Sequence, residues 1–346
     1  MQIGNKIVDV DQPTYIVGEI GVNHNGDLAL AKKLIDIASE AKVDAVKFQT
    51  LNAAKYISTY APKAKYQLAT TDHQESQVNM VRRYELSKDQ HVELMAYCKH
   101  VGISFFSTPF DFSGADLLDE LDVAVYKIPS GEITNLPLIQ HIAEKGRPII
   151  LSTGMSFLGE VEQAVDLIQK TGCNDLVLLH CVSNYPAQPV DANLKAMHTM
   201  SQAFGVPVGY SDHTPGIEVS IAAVTLGACM IEKHFTLDKD LEGPDHQASL
   251  EPGELKSLVQ AIRNVELCLG DGIKIPKPSE TNTREVARKS LVATRLLSSG
   301  TVLTKDCIDI KRPGTGISPI ELKYVLGKKI NQDINEDELL SWEMIG

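Results

Sequence analysis

Eight short runs rich in β-branched, aromatic and leucine residues recur between Tyr15 and Thr236, each followed by a stretch with helical character. That alternation is what a parallel sheet covered by helices requires. The runs are Tyr15–Gly21 (YIVGEIG), Asp44–Thr50 (DAVKFQT), Ser104–Phe110 (SFFSTPF), Val125–Gly131 (VYKIPSG), Pro148–Gly154 (PIILSTG), Leu176–Val182 (LVLLHCV), Pro207–His213 (PVGYSDH) and Met230–Thr236 (MIEKHFT). Eight parallel strands are the number that closes on itself, so the expected fold is α/β, a (β/α)8 TIM barrel. The helical stretches are Leu28–Lys42, Lys88–Val101, Ser113–Leu121, Leu136–Glu144, Gly159–Thr171, Gly216–Gly227 and Pro252–Leu269. Ser113 and the Glu251-Pro252 pair read as helix starts, and Gly102, Gly172 and Gly227 as helix ends.

Two segments exceed the bare unit: Asn52–Leu86 after the second run and Leu237–Leu250 after the eighth. Both follow strand C-termini, where barrel enzymes elaborate their sites. After Leu269 the composition turns to GDGIKIPKPSETNTRE, then to short strand-like runs. The expected organisation is a barrel over 1–270, a linker over 271–286 and a small β-rich domain over 287–346.

Composition restricts partners more than it identifies them. The chain has 346 residues, 43% hydrophobic and 23% charged, which suits a large core with a small second domain. A net charge of -12 argues against nucleic acid or an anionic membrane as partner, since either rewards a basic surface. No apolar run approaches the roughly 18 residues of a membrane span, and the opening MQIGNKIVDVDQP lacks the blocks of a signal peptide. A cytoplasmic protein is expected. The six cysteines (Cys98, Cys173, Cys181, Cys229, Cys268, Cys307) have no CxxC spacing, so neither a disulfide framework nor a zinc site is indicated.

Polar residues gather at one end of the runs: Glu19; Lys47 and Gln49; Ser107 and Thr108; Lys127, Ser130 and Glu132; Ser152 and Thr153; His180; Ser211, Asp212 and His213; Lys233 and His234. Burying charge inside a barrel costs several kcal/mol or more unless it is paired, so these residues are expected to share one active site. Lys47 and Lys127 with Ser130, Ser152 and Ser211 read as a cradle for phosphate and carboxylate, because each anionic oxygen takes several donors. Two competing readings stay open, salt bridges of the lysines to Glu19 or Glu132 and a Schiff-base lysine as in an aldolase. His213 and His234 end adjacent runs and can converge on a divalent metal, with His24, His180 and His246 as weaker candidates. Two protein ligands would leave positions open for water or a substrate oxygen. Glu19, Glu132 and Asp245 are the acidic candidates, and Lys311-Arg312-Pro313-Gly314 by itself reads as a surface turn.

The stretches EIGVNHNG (Glu19–Gly26), VKFQT (Val46–Thr50), STPFD (Ser107–Asp111), YKIPSGE (Tyr126–Glu132), LSTGM (Leu151–Met155), YSDHT (Tyr210–Thr214), EKHFTLDK (Glu232–Lys239), GPDHQASLEP (Gly243–Pro252) and KRPGTGIS (Lys311–Ser318) together resemble the bacterial sialic acid synthase family over essentially the whole chain, in order. The resemblance implies a barrel followed by a SAF (antifreeze-like) domain, in a domain-swapped homodimer whose C-terminal domains close the partner barrels. It implies manganese on His213 and His234, with magnesium or cobalt as alternatives. Lys47, Thr108, Lys127, Ser130, Ser152 and Ser211 resemble the phosphoenolpyruvate contacts, and Glu19, Gln49, Glu132, Tyr185, Asp245 and Arg312 would face the metal water or the sugar. In HCVSNYP some relatives carry asparagine where this chain has Ser183, which can still donate to phosphate.

The reaction so implied joins C3 of phosphoenolpyruvate to the aldehyde of an N-acyl amino sugar, with water captured at C2 and phosphate released by C–O cleavage. N-acetylmannosamine giving N-acetylneuraminate is the favoured substrate pair. A 2,4-diacetamido-trideoxy sugar giving a legionaminate is the alternative, on the stretches PKAKYQL, ESQ and SGEITNLP. A Schiff-base aldolase and a non-catalytic sugar-phosphate-binding barrel complete the range.

Overall fold

The computed structural model describes residues 1–346, apart from the side chain of Ala69. The chain divides into two compact units, Met1–Gly270 and Asp271–Gly346. The first is an eight-stranded parallel barrel. Its strands are β1 (Tyr15–Gly21), β2 (Ala45–Thr50), β3 (Ser104–Pro109), β4 (Tyr126–Ile128), β5 (Ile149–Ser152), β6 (Leu176–Cys181), β7 (Val208–Asp212) and β8 (Met230–His234). They follow one another around the sheet in sequence order, with β8 hydrogen-bonded to β1 and β3 packed beside β4 at the remaining seam.

Strand alternation sorts every side chain into one of two cores. Tyr15, Val17, Ala45, Phe106, Val125, Ile150, Val177, Leu179 and Met230 fill the barrel interior. Their sequence neighbours Ile16, Val46, Phe105, Tyr126, Ile149, Leu151, Leu178 and Ile231 point outward into the layer beneath the helices. Gly209 belongs to the inner set by necessity: a Cβ there would lie 2.5 Å from the Met230 carbonyl and 2.7 Å from the Leu179 side chain. A short antiparallel pair, Gln2–Ile3 with Lys6–Ile7, precedes the barrel, and Ile3 and Val8 are buried with its interior residues. Each such side chain contributes roughly 1.5–3 kcal/mol of burial.

The helices start and stop for local reasons. In Leu28–Ala41 the Asp27 carboxylate accepts from the amides of Ala29 and Leu30, Lys42 ends the helix in the left-handed region, and Ala31, Leu34, Ile35, Ala38 and Ala41 form the buried stripe. Lys88–Val101 opens with a reciprocal Ser87–Gln90 cap and ends on Gly102 at φ 79°. The expected start at Ser113 is displaced by one residue, because Asp111 caps the helix Phe112–Glu120. A helix at Lys195–Phe204, unforeseen in the sequence, buries only Met197 and Met200. The Asn52–Leu86 insertion folds into three short helices, Ala53–Tyr56, Lys65–Thr70 and Gln77–Arg82, around a small core of Val22, Leu51, Ala53, Val78, Met80, Val81 and Tyr84.

The second unit holds an antiparallel pair, β9 (Ser290–Ala293) with β10 (Ile308–Lys311), over a core of Leu291, Leu297, Leu303, Cys307, Ile317, Val325, Ile330, Ile334 and Leu340. The segment expected as a linker carries a helix, Thr281–Ala287. Arg312 is exposed in this unit.

Candidate active site

Alternation turns one or two side chains from each strand end onto the barrel floor, and those residues line a cavity of about 420 Å³. Glu19 comes from β1, Lys47 and Gln49 from β2, Thr108 from β3, Lys127 from β4, Ser152 from β5 and Ser211 from β7, with Ser130, Ser183, Tyr185, His213, His234 and Asp245 added by the following turns and by β8. The roof is the insertion, through Tyr56, Tyr66, Gln67, Gln77, Met80, Val81 and Tyr84.

Both lysines are buried and carry a hydroxyl partner: Lys47 Nζ donates to Thr108 Oγ1 at 3.0 Å and Lys127 Nζ to Ser152 Oγ at 2.7 Å. Lys47 also meets Glu19 at 2.7 Å. Between the two ammonium groups stands Glu232, 3.8 Å from Lys47 and 3.7 Å from Lys127, accepting from Ser211 Oγ at 2.9 Å. Burial would raise the Glu232 carboxyl, but Lys127 and Lys47 outweigh it and hold it below its ordinary value. Burial dominates for Glu19 and pushes it up to about 7 despite Lys47. Burial likewise lifts Asp245 to about 6. Burial lowers the Lys127 ammonium against the pull of Glu232, whereas Lys47 overcomes burial through Glu19 and Glu232 and is raised.

Glu232 escaped the sequence reading, although the signal for it was present. If His234 faces the cavity, the residue two earlier on β8 must face it as well, and the residue between must not. The structure obeys this: Lys233 and Asp212, expected among the active-site residues, point outward and pair with each other at 2.9 Å. Thr153 and Ser107 are turned outward for the same reason, bonded to the Leu179 carbonyl and to Thr50. Glu132 is half-buried, accepts from Asn135 Nδ2 at 2.6 Å and lies outside the cavity lining.

Ser130 and Ser183 converge over the LSTGM backbone because residue 154 is glycine. The Gly154 amide donates to Ser130 Oγ at 2.9 Å, and a Cβ there would sit 2.2 Å from Ser183 Oγ.

His213 and His234 are the two side chains of the cavity that could hold a divalent cation, with no third His, Cys, Asp or Glu grouped with them as a ligand among the described residues. Their rings lie 5.5 Å apart between centroids, with Tyr185 at 4.1 Å from His213 and 5.7 Å from His234. His213 Nδ1 donates to the Val182 carbonyl at 2.7 Å, which turns the Nε2 lone pair away from that bond. His234 Nδ1 is buried and has no hydrogen-bond partner. Burial keeps both imidazoles neutral, His213 at about 4 and His234 well below its ordinary value, the form that ligates metal. The other candidate histidines do not reach the cavity. His24 packs against Phe48, His180 bonds the Ala192 carbonyl, and His246 bonds Thr236, all outside the lining.

Residues 34–274 match the model of the NeuB family, and 288–346 match that of the SAF domain. The chain belongs to the NeuB family. This NeuB protein is 51% identical to the N,N'-diacetyllegionaminic acid synthase of Campylobacter jejuni, over 94% of its own length and 98% of that protein. It is 47% identical to the synthase of the same name from Legionella pneumophila, over 96% and 94% of the two chains. Human N-acetylneuraminate-9-phosphate synthase is 37% identical over 96% and 93%. Among solved structures, the N-acetylneuraminic acid synthetase of Leptospira borgpetersenii superposes with a TM-score of 0.72 at 37% identity, covering 82% of this chain and 94% of that one. The sequence expectation of a sialic-acid-synthase barrel with a SAF domain holds, and the chain is a phosphoenolpyruvate-dependent, carbon–carbon bond-forming transferase of that type. No helix among the described residues is long and apolar enough to cross a membrane.

Proposed function

We propose that this NeuB protein condenses phosphoenolpyruvate with 2,4-diacetamido-2,4,6-trideoxymannose, giving N,N'-diacetyllegionaminic acid and phosphate. The observation that carries the reading is the division of one cavity into a floor that bears all its charged groups and an uncharged roof. Lys47 and Lys127 are its only ammonium or guanidinium groups among the described lining residues, and the insertion adds tyrosines, glutamines, Met80 and Val81. Such a roof suits a deoxygenated, acylated sugar better than one ending in phosphate. Identities of 51% and 47% to diacetyllegionaminic acid synthases, against 37% to the N-acetylneuraminic acid synthetase of Leptospira borgpetersenii, favour the same substrate over the N-acetylmannosamine preferred from sequence alone.

Lys47 and Lys127, with Thr108, Ser130, Ser152, Ser183 and Ser211, would hold the carboxylate and phosphate of phosphoenolpyruvate. His213 and His234 would hold a divalent ion, manganese by preference, which supplies Lewis acidity toward the aldehyde. C3 of phosphoenolpyruvate bonds to the aldehyde carbon, whose oxygen takes a proton. Water adds to the cationic C2 and gives up one proton, and the resulting hemiketal phosphate collapses: the bond from C2 to the phosphate oxygen breaks, the hydroxyl proton passes to the departing phosphate, and the keto acid is left. Glu19, poised at about 7, is the group best placed to move the proton taken by the aldehyde oxygen, and the lysines stabilise anionic charge throughout. Gln49, Tyr185 and Asp245 line the route to the sugar.

Phosphate release is expected with phosphoenolpyruvate, manganese and the diacetamido sugar, at least tenfold less with N-acetylmannosamine, and to stop on chelation. His213→Ala and His234→Ala would each remove the response to added metal. Release with no sugar of the series would defeat the reading, and full activity after chelation would remove the histidines from it. A swapped homodimer is part of the proposal, with Arg312 reaching the partner's sugar. Arg312→Ala is then expected to raise the sugar KM while the phosphoenolpyruvate KM stays level. Unchanged sugar kinetics would exclude that crossing.

A further inference from the structure

We infer that Gln77 is the residue that reads the second N-acyl group of the sugar. The inference rests on the diacetamido reading above and adds a residue to it. Gln77 opens the insertion helix Gln77–Arg82, which is anchored on both sides. Ser76 Oγ accepts from the Asn79 amide at 3.2 Å, and Val78, Met80 and Val81 are packed into the insertion core with Leu51 and Tyr84. The Gln77 side chain lines the active-site cavity, and its Oε1 is buried without a hydrogen-bond partner. A buried carbonyl oxygen left unpaired is destabilising, and a donor on a sugar bound in the cavity would complete it.

The other two amides of the cavity are already engaged. Gln67 Oε1 accepts from the Ala64 amide at 3.0 Å, and Gln49 Nε2 faces Glu19 Oε1 at 3.4 Å. Gln77 presents an acceptor and a donor side by side, as an N-acyl group does, so the two can pair at two points whichever way the glutamine amide is turned. Met80, Val81 and Tyr84 beside it supply apolar surface for the acyl methyl. A hydroxyl at the same sugar position satisfies one of the two contacts and leaves the apolar space unfilled. The relatives' product name specifies two N-acetyl groups where N-acetylneuraminate has one, and this is the difference that Gln77 is placed to detect.

The test compares kcat/KM for 2,4-diacetamido-2,4,6-trideoxymannose and for N-acetylmannosamine in the full-length protein and in Gln77→Leu. The parent is expected to favour the diacylated sugar by tenfold or more. Gln77→Leu should cut that ratio by about 10- to 100-fold, through the KM of the diacylated sugar, with the phosphoenolpyruvate KM held. Gln77→Asn, which keeps the amide but shortens its reach, should fall between them and serves if the leucine variant does not fold. A parent without preference for the diacylated sugar overturns the substrate reading and this inference with it. A parent with the preference, and variants that retain it within twofold, overturn the role of Gln77 alone.

Discussion

Lys127→Met is expected to lower kcat/KM for phosphate release by about 10³-fold while the barrel stays folded. On the cavity floor, Lys47 and Lys127 face Glu232, held ionised, and Glu19, held near neutrality at about 7. Glu232, Glu19 and Asp245 balance the two cations of the cavity, so a substrate carrying both a carboxylate and a phosphate depends on Lys47 and Lys127 for its cationic contacts. Removing Lys127 takes away one of the two cationic contacts and deprives Glu232 of the stronger of its two cationic neighbours. Glu232 then takes up a proton at higher pH than before, and Ser152 loses its donor. Methionine matches the lysine stem and avoids a cavity, so the loss is electrostatic. Arginine is no substitute in a site this closely built. The check is phosphate release beside far-UV circular dichroism: a folded variant within tenfold of the parent would refute the cradle. On the proposed anion-binding role, borohydride added to the parent with both substrates should leave the protein mass unchanged, with the Lys127 ammonium engaged by Ser152 and Glu232.

The barrel was legible because its signals are local and repeated. The run Tyr15–Gly21 is a strand over its full length, and Leu176–Val182 and Met230–Thr236 lose only one or two residues at their ends. Val125–Gly131 shrinks to Tyr126–Ile128 because Ser130–Glu132 closes into a 3-10 turn that carries Ser130 over the cavity. A run of apolar residues marks a strand without saying where hydrogen bonding to its neighbour stops. The helix Lys195–Phe204 went unread because two buried methionines among polar residues make too narrow a stripe. Residue types at strand ends were enough to point to Lys47, Lys127, His213 and His234, which line the cavity. They were not enough to separate inward from outward neighbours, so Glu232 was overlooked and Asp212 and Lys233 were placed in the wrong layer. The insertion residues Tyr56, Tyr66, Gln77 and Tyr84 carry no periodic signal, and only tertiary packing brings them over the floor.

That outward pair leads to the largest stability effect expected of a single substitution. Lys233 and Asp212 are both fully buried, face each other at 2.9 Å, and are register partners on β8 and β7. Lys233 also donates to the Thr214 carbonyl, and Asp212 accepts from the Thr214 amide at 2.9 Å and from the hydroxyls of Thr214 and Ser220. Lys233→Met would strand a carboxylate in the layer between strands and helices, at a cost of about 3–5 kcal/mol. Adding Asp212→Asn removes the stranded charge and keeps an acceptor for Thr214, so the double variant should recover more than half of the loss. Urea unfolding of the single and double variants measures this directly, and equal losses in the two would show that packing, not charge, is at stake. The pair matters to the chemistry through its neighbours, because each member is flanked in sequence by one of the two histidines. The Asp212–Thr214 bonds fix the turn that carries His213, and Lys233 ties that turn to the strand that carries His234. The variant with the stranded carboxylate should therefore also lose response to added manganese, and the double variant should regain part of it along with its stability.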